Sequence, residues 1–254
     1  MTSQGRILLE VAVASVQDAL TSRDGGADRL ELNAALALGG LTPTLGMLRE
    51  VREAVTLPII VLARPRAGGF CYNASEFRVL LRDIDLALEH GAEGIAFGVL
   101  TAEGTIDHER CWQIIRLIGT REAVFHRAFD VTPDPVASLE QLIDLGVKRV
   151  MTSGQEETAY QGAACIRRLR KQAQGRVEVL PAGGINRFTV ADVLARTGCD
   201  QIHASLRTSR PDPSTVHRPQ VRFNASHLLP DDRFETTSPD AVRELRAMTG
   251  GPAD

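Results

Sequence analysis

The chain has 254 residues, with 29 Lys plus Arg against 32 Asp plus Glu, and no block of five or six like charges. That near balance argues against a nucleic-acid groove or an acidic tail, and no apolar run approaches the roughly 20 residues that span a bilayer. The length suits one α/β barrel. The scattered cysteines Cys71, Cys111, Cys165 and Cys199, together with a polar opening over residues 1–6, predict free thiols in the cytoplasm.

Apolar β-type runs predict strands over residues 7–13, 29–33, 59–64, 94–99, 123–128, 149–153, 177–182 and 201–205. Between them lie amphipathic stretches, for example 75–90 and 158–172. Ser15 and Ser75 are expected as N-caps, and Ser238-Pro239 as Ncap and N1 of a last helix. A phrase recurs at the strand starts: GADRLEL (26–32), GAEGIAF (91–97), GVKRVMT (146–152) and GCDQIHA (198–204). Its leading Gly suits a helix C′ position, where a positive φ is tolerated, and the apolar run that follows is the next strand.

Eight such units in a single domain spanning 1–254 predict a (β/α)8 TIM barrel. A doubly wound sheet would need a Gly-rich dinucleotide turn after the first strand, and EVAVAS is not one. Residues 206–237, rich in Pro and Arg, exceed an ordinary βα loop. They are expected to be an irregular lid or subunit contact.

Side chains alternate along a strand, so a period of two sorts the polar residues by face. It groups Leu8, Glu10 and Ala12; Arg29, Glu31 and Asn33; Leu62, Arg64 and Arg66; Val124, His126 and Ala128; and Gln201, His203 and Ser205. If these faces point inward, Glu10, Glu31, Arg64, His126 and His203 converge near the C-terminal strand ends, where barrel enzymes keep their active sites. Packing alone explains five buried charges poorly, because each costs several kcal/mol unless paired.

Glu10, Glu31, His126 and His203 are therefore the candidate catalytic groups, with His126 as acid/base. Arg64, Arg66 and Asp130 are candidates for holding an anion. So are Thr152, Ser153 and Gly154 of the TSGQ turn, and Gly183 and Gly184 of AGGIN, since backbone amides at such turns suit phosphate. Arg127 is expected to face the helices. Neither Lys148 nor Lys171, the two lysines of the chain, sits at a strand end, which disfavours a Schiff-base aldolase. No zinc-protease spacing occurs, although the acids and histidines are legitimate ligands for a harder divalent ion.

LLEV, GADRLEL, GGLTPTLG (39–46), ARPRAGGFCYNASEF (63–77), FHRAFD (125–130), MTSGQ (151–155) and AGGIN (182–186) together resemble the CutC family. The resemblance implies a TIM barrel, a cytoplasmic homodimer or higher homo-oligomer, and a connection with copper homeostasis. It also implies Cu(I)-binding cysteines after the Glu-Val of the first strand and the Glu-Leu of the second. Here those positions are Ala12 and Asn33, and Cys71 alone is expected near the barrel mouth. Cu(I) is soft and prefers thiolate or thioether, so a cuprous site is disfavoured. The expectation is a barrel enzyme acting on a small anionic substrate, phosphorylated compounds included, through isomerisation, lyase or hydrolytic chemistry. The alternatives are a copper-binding protein without catalysis and a non-catalytic ligand sensor.

Overall fold

The computed structural model describes residues 6–223 and 231–250. Eight parallel strands are β1 (Leu8–Val13), β2 (Arg29–Leu32), β3 (Ile59–Leu62), β4 (Gly94–Phe97), β5 (Glu122–Phe125), β6 (Arg149–Thr152), β7 (Glu178–Pro181) and β8 (Gln201–Ala204). They hydrogen-bond in the order β7-β6-β5-β4-β3-β2-β1-β8, so each strand lies beside its sequence neighbours and β1 pairs with β8. β7 and β8 face each other without a shared ladder, which leaves a seam in an otherwise closed barrel.

Helices α1 (Val16–Asp24), α2 (Leu45–Ala54), α3 (Ala74–Glu89), α4 (His108–Ile118), α5 (Pro135–Leu145), α6 (Ala163–Ala173), α7 (Val190–Thr197) and α8 (Pro239–Met248) form the outer ring. The (β/α)8 barrel expected from the serial Gly-strand phrase is the observed fold. Gly26, Gly91, Gly146 and Gly198 adopt φ of +90°, +95°, +85° and +71°, the left-handed turn from helix into strand that their recurrence implied.

Several boundaries differ. Most strands stop one to three residues before their expected ends, because near the mouth the chain peels away from its neighbours and the ladder ends. Ser15 and Ser238 cap α1 and α8 as expected. The cap of α3 is Asn73 rather than Ser75: its side chain accepts from the Glu76 amide while Glu76 reaches back to the Asn73 N–H. Residues 158–162 are a turn and not the start of α6.

The 206–237 segment is more regular than expected. Arg207–Pro211 (β9) and Arg233–Thr237 (β10) form an antiparallel ribbon, tied to α1 where Asp18 accepts from Thr236 Oγ1 and the Thr237 amide, both at 2.7 Å. Its residues 224–230 lie outside the described residues. Among the described residues no helix is long and apolar enough to cross a membrane.

One apolar core fills the space between sheet and helices, including Leu9, Leu30, Leu80, Ile95, Phe125 and Ile202, all fully buried. The barrel interior is divided. Ile60, Leu62, Ala96 and Val124 pack together inside β3–β5, and Met151, Leu180 and Ala182 inside β6–β7. On the other side β8, β1 and β2 present Gln201, His203, Glu10, Arg29 and Glu31, all buried.

Candidate active site

Register brings the charges together. Glu10 lies level with Arg29 on β2 and with His203 on β8, and Glu31 stands one step nearer the mouth, level with Ala12. Arg29 Nε donates to Glu10 Oε2, and Glu10 Oε1 lies 2.7 Å from His203 Nδ1. His203 Nε2, on the far edge of the ring, is 3.8 Å from Glu31 Oε2. Asn33 Nδ2 donates to the same Glu31 oxygen at 3.0 Å and fixes its rotamer. Below this group Arg29 Nη2 and Arg149 Nε both donate to Gln201 Oε1, at 3.0 and 3.1 Å, and Glu122 and Glu178 neutralise Arg149. The polar floor is thereby satisfied from beneath, and the unspent chemistry faces the mouth.

The electrostatics follow from this arrangement. Burial disfavours a charge on Glu10, yet Arg29 and His203 hold its carboxyl well below the usual range. Burial, reinforced by Glu10, raises Glu31 against the opposing pull of His203. His203 would be pushed down by burial, but Glu31 and Glu10 outweigh that and raise it. Glu31 and His203, both raised by these surroundings, face each other as the groups that can carry a proton here, while Glu10 is held as the anion.

These groups open into a cavity of about 560 Å³ at the C-terminal ends of the strands, with Glu31, His203, Arg64, His126 and Arg127 in its wall. The five converging residues expected from alternation thus share one region: Glu31, His203, Arg64 and His126 on the wall, and Glu10 level with His203 and bonded to it.

Their roles differ from expectation in several places. His126 Nδ1 accepts from the Ala128 amide at 3.1 Å, so the neutral ring carries its proton on Nε2 and has no free lone pair. Burial pushes this imidazole down to about 3, with Arg64 adding to the effect. An acid/base role for His126 does not fit a ring held neutral with its acceptor nitrogen engaged.

Arg64 spends its guanidinium on carbonyls, donating to Leu38 O at 3.0 Å, Gly40 O at 2.8 Å and Gly68 O at 2.7 Å, which clamps two mouth loops. Arg66 leaves the cavity altogether. It pairs with Glu76 at 2.6 Å and lies over the Tyr72 ring, because β3 ends at Leu62 and alternation no longer governs residue 66.

The TSGQ turn is occupied by the chain itself. Asp130 accepts from Thr152 Oγ1 at 2.5 Å, from the Ser153 amide at 3.0 Å and from the Gln155 amide at 3.3 Å. The Gly154 amide turns to Thr152 Oγ1 at 2.8 Å. Thr152, Ser153 and Gly154 are therefore a nest filled by an internal carboxylate, not a site for an external anion.

Arg127 corrects in the other direction. β5 ends at Phe125 and a 3-10 turn begins, so Arg127 swings to the mouth instead of the helices. Its Nε pairs with Asp130 at 2.8 Å and its Nη2 donates to Ser153 Oγ at 2.7 Å. Its Nη1 lies beside Gly183, 3.2 Å from where a Cβ would stand.

Gly183 and Gly184, with φ of +96° and +67°, form the remaining Gly turn. The amides of Gly183, Gly184 and Ile185 have no partner within the described chain, and all three residues line the cavity. Successive unpaired amides at a turn suit an anion, and the Arg127 guanidinium, paired with Asp130, lies at its edge. Alternation had placed Arg29 on the inward face without marking it as the partner of Glu10. Gly98 was also missed: a Cβ there would sit 2.4 Å from His126 Cε1, so the imidazole occupies the space of an absent side chain.

The donor set decides what metal could be held. Glu10, Glu31 and His203 offer ligand atoms within 4.8 Å of one another, two carboxylates and an imidazole suited to a hard or borderline divalent ion. The sulfur on the cavity wall is the Met151 thioether. Ala12 and Asn33 both line the cavity, so thiols at those positions would have faced it. Cys71 is exposed and not part of the wall, while burial pushes the Cys111 and Cys199 thiols up to about 12 and 11. The described cavity wall offers one thioether and no thiolate, which is a poor donor set for Cu(I).

An α/β barrel with a polar half-interior, an acid–imidazole pair at its mouth and an amide-lined Gly turn at the end of β7 defines the class. Within that class the chain belongs to the CutC family, whose model matches residues 7–208. It is 42% identical over 239 residues to a family protein CutC of Treponema denticola, covering 94% of this chain and 97% of that one. It is 40% identical to a human protein named copper homeostasis protein cutC homolog, covering 95% and 88%. The crystal structure of the CutC protein of Streptococcus agalactiae superposes with a TM-score of 0.73 at 32% identity, covering 78% of this chain and 97% of that one.

Proposed function

We propose that this chain is an enzyme that carries out acid–base chemistry on a small anionic substrate, of which a phosphorylated compound is the best-fitting kind. Glu31 and His203 exchange the proton, Glu10 holds the imidazole in place, and the Gly183–Gly184–Ile185 amides with Arg127 receive the anion. The observation that carries this reading is the chemistry gathered in one cavity: three unpaired amides beside the Arg127 guanidinium, and a carboxyl facing an imidazole at 3.8 Å. A purely structural cluster would have its donors consumed, as those of the TSGQ turn are.

Calorimetric titration with inorganic phosphate tests the reading. Binding is expected for the native protein and a loss of at least tenfold for Gly184→Ala. There φ is +67° and a Cβ would stand 2.8 Å from Thr158 Cγ2, so the turn must distort. Equal binding by both proteins, or none by either, would end it.

A second reading is copper handling, which rests on the names of the relatives and on the Glu10–Glu31–His203 cluster. That donor set favours a divalent ion over Cu(I), and such a role would show as stoichiometric divalent-metal uptake lost in His203→Gln.

A further inference from the structure

His126 is left without a task in that scheme. It is 5% exposed, its Nδ1 is engaged by its own backbone, and its Nε2 is buried with no hydrogen-bond partner. Nδ1 is turned to the Ala128 amide in the 3-10 turn beyond the end of β5, and Nε2 occupies the opposite edge of the ring. The ring itself lines the cavity.

Several packed groups fix it there. Phe70 lies against it with centroids 5.0 Å apart, Phe125 at 6.2 Å, and Gly98 leaves the space it fills. Arg64, whose Cζ is 5.4 Å from the Phe70 ring centroid, closes the same wall. A buried N–H without an acceptor is costly and rare in a settled core, and where it persists at a cavity wall it is poised for an acceptor supplied from the cavity.

We infer that His126 is a fixed neutral hydrogen-bond donor to the substrate, and that the substrate therefore carries a carbonyl oxygen in addition to its anionic group. This rests on the anion-binding reading above and adds the second half of the ligand. Three sets of groups share one mouth. The amide concavity and Arg127 lie at the ends of β7 and β5, the proton-exchanging Glu31 and His203 at β2 and β8, and the neutral donor at β5, across the barrel from β1. A neutral donor polarises a carbonyl without protonating it, which leaves proton movement to the opposite wall. Nε2 is itself buried, so contact with it requires a small shift of the packed wall. Such bonds commonly tighten only once the ligand is present.

A matched pair of probes tests this: acetonyl phosphate, which has a ketone, and propyl phosphate, in which that carbonyl is a methylene with no acceptor. With the native protein the ketone phosphate is expected to bind roughly three- to tenfold more tightly, the worth of one neutral hydrogen bond. In His126→Phe that preference should vanish, while inorganic phosphate binds as before. Nitrogen-15 NMR of the native protein should show His126 as the Nε2–H tautomer at neutral pH, a readout that needs no variant to fold.

Equal affinity of the native protein for the two probes, or an unchanged preference in His126→Phe, would overturn the inference and leave the anion site standing. A cationic or Nδ1–H imidazole would overturn it on its own. Failure of inorganic phosphate itself to bind would remove the anion site and this inference together.

Discussion

Replacing Asp130 by Ala should empty a nest that the chain now fills with its own carboxylate. The side chain is 8% exposed and is held by Arg127 Nε at 2.8 Å, Thr152 Oγ1 at 2.5 Å, and the Ser153 amide and hydroxyl at 3.0 and 2.8 Å. Each hydrogen bond to a charged acceptor contributes about 1.5–3 kcal/mol, but these share one carboxylate and do not add. Removing one partner from a buried charged network costs about 3–5 kcal/mol, and we expect a loss in that range by urea denaturation.

The vacated space should accept a small carboxylate. If acetate binds there with Kd of about 10 mM, then 100 mM acetate restores about 1.4 kcal/mol relative to chloride at equal ionic strength. The native protein should show no such gain. A loss under about 1 kcal/mol, or equal stabilisation of both proteins by acetate, would refute the assignment of Asp130 as the resident anion.

Arg29→Met should destabilise by about 3–5 kcal/mol in the same assay, because Glu10 would keep its buried charge with His203 as its remaining partner. For His126 the sign follows from a folded pKa near 3 against 6.5 unfolded. The unfolded chain takes up a proton below 6.5 that the folded protein refuses, so this stability is present above pH 6.5 and lost as pH falls toward 3. Between pH 6.5 and 4.5 that slope amounts to at most about 3 kcal/mol, and denaturation of His126→Gln across that range should be flatter by a comparable amount. Cu(I) uptake measured against a strong chelator should be absent, because no thiol lines the cavity.

The barrel was legible because its signals are local and repeated: a Gly that must turn left-handed before each of several strands, and period-two alternation within them. The same alternation placed Glu10, Glu31 and His203 on one inward face, and register then made them neighbours. It failed where strands end. Arg66 and Arg127 both lie past the last ladder bond, and a 3-10 turn at His126 sends Arg127 to the mouth and Arg66 lies on an outer loop, the reverse of what continued alternation implies. The fate of the two Gly turns was equally hidden. TSGQ and AGGIN look alike as sequence, and only tertiary contact reveals that Asp130 occupies one and leaves the other free. Likewise His126 reads as an acid/base until its Nδ1 is seen engaged by the Ala128 amide.

The most direct test of the shared cavity is the electron density of a crystal of this protein soaked in inorganic phosphate. The account predicts a single anion seated on the Gly183, Gly184 and Ile185 amides within reach of Arg127, on the side of the cavity opposite the β2 and β3 wall. Density in the TSGQ turn, or none in the cavity at saturating phosphate, would contradict it.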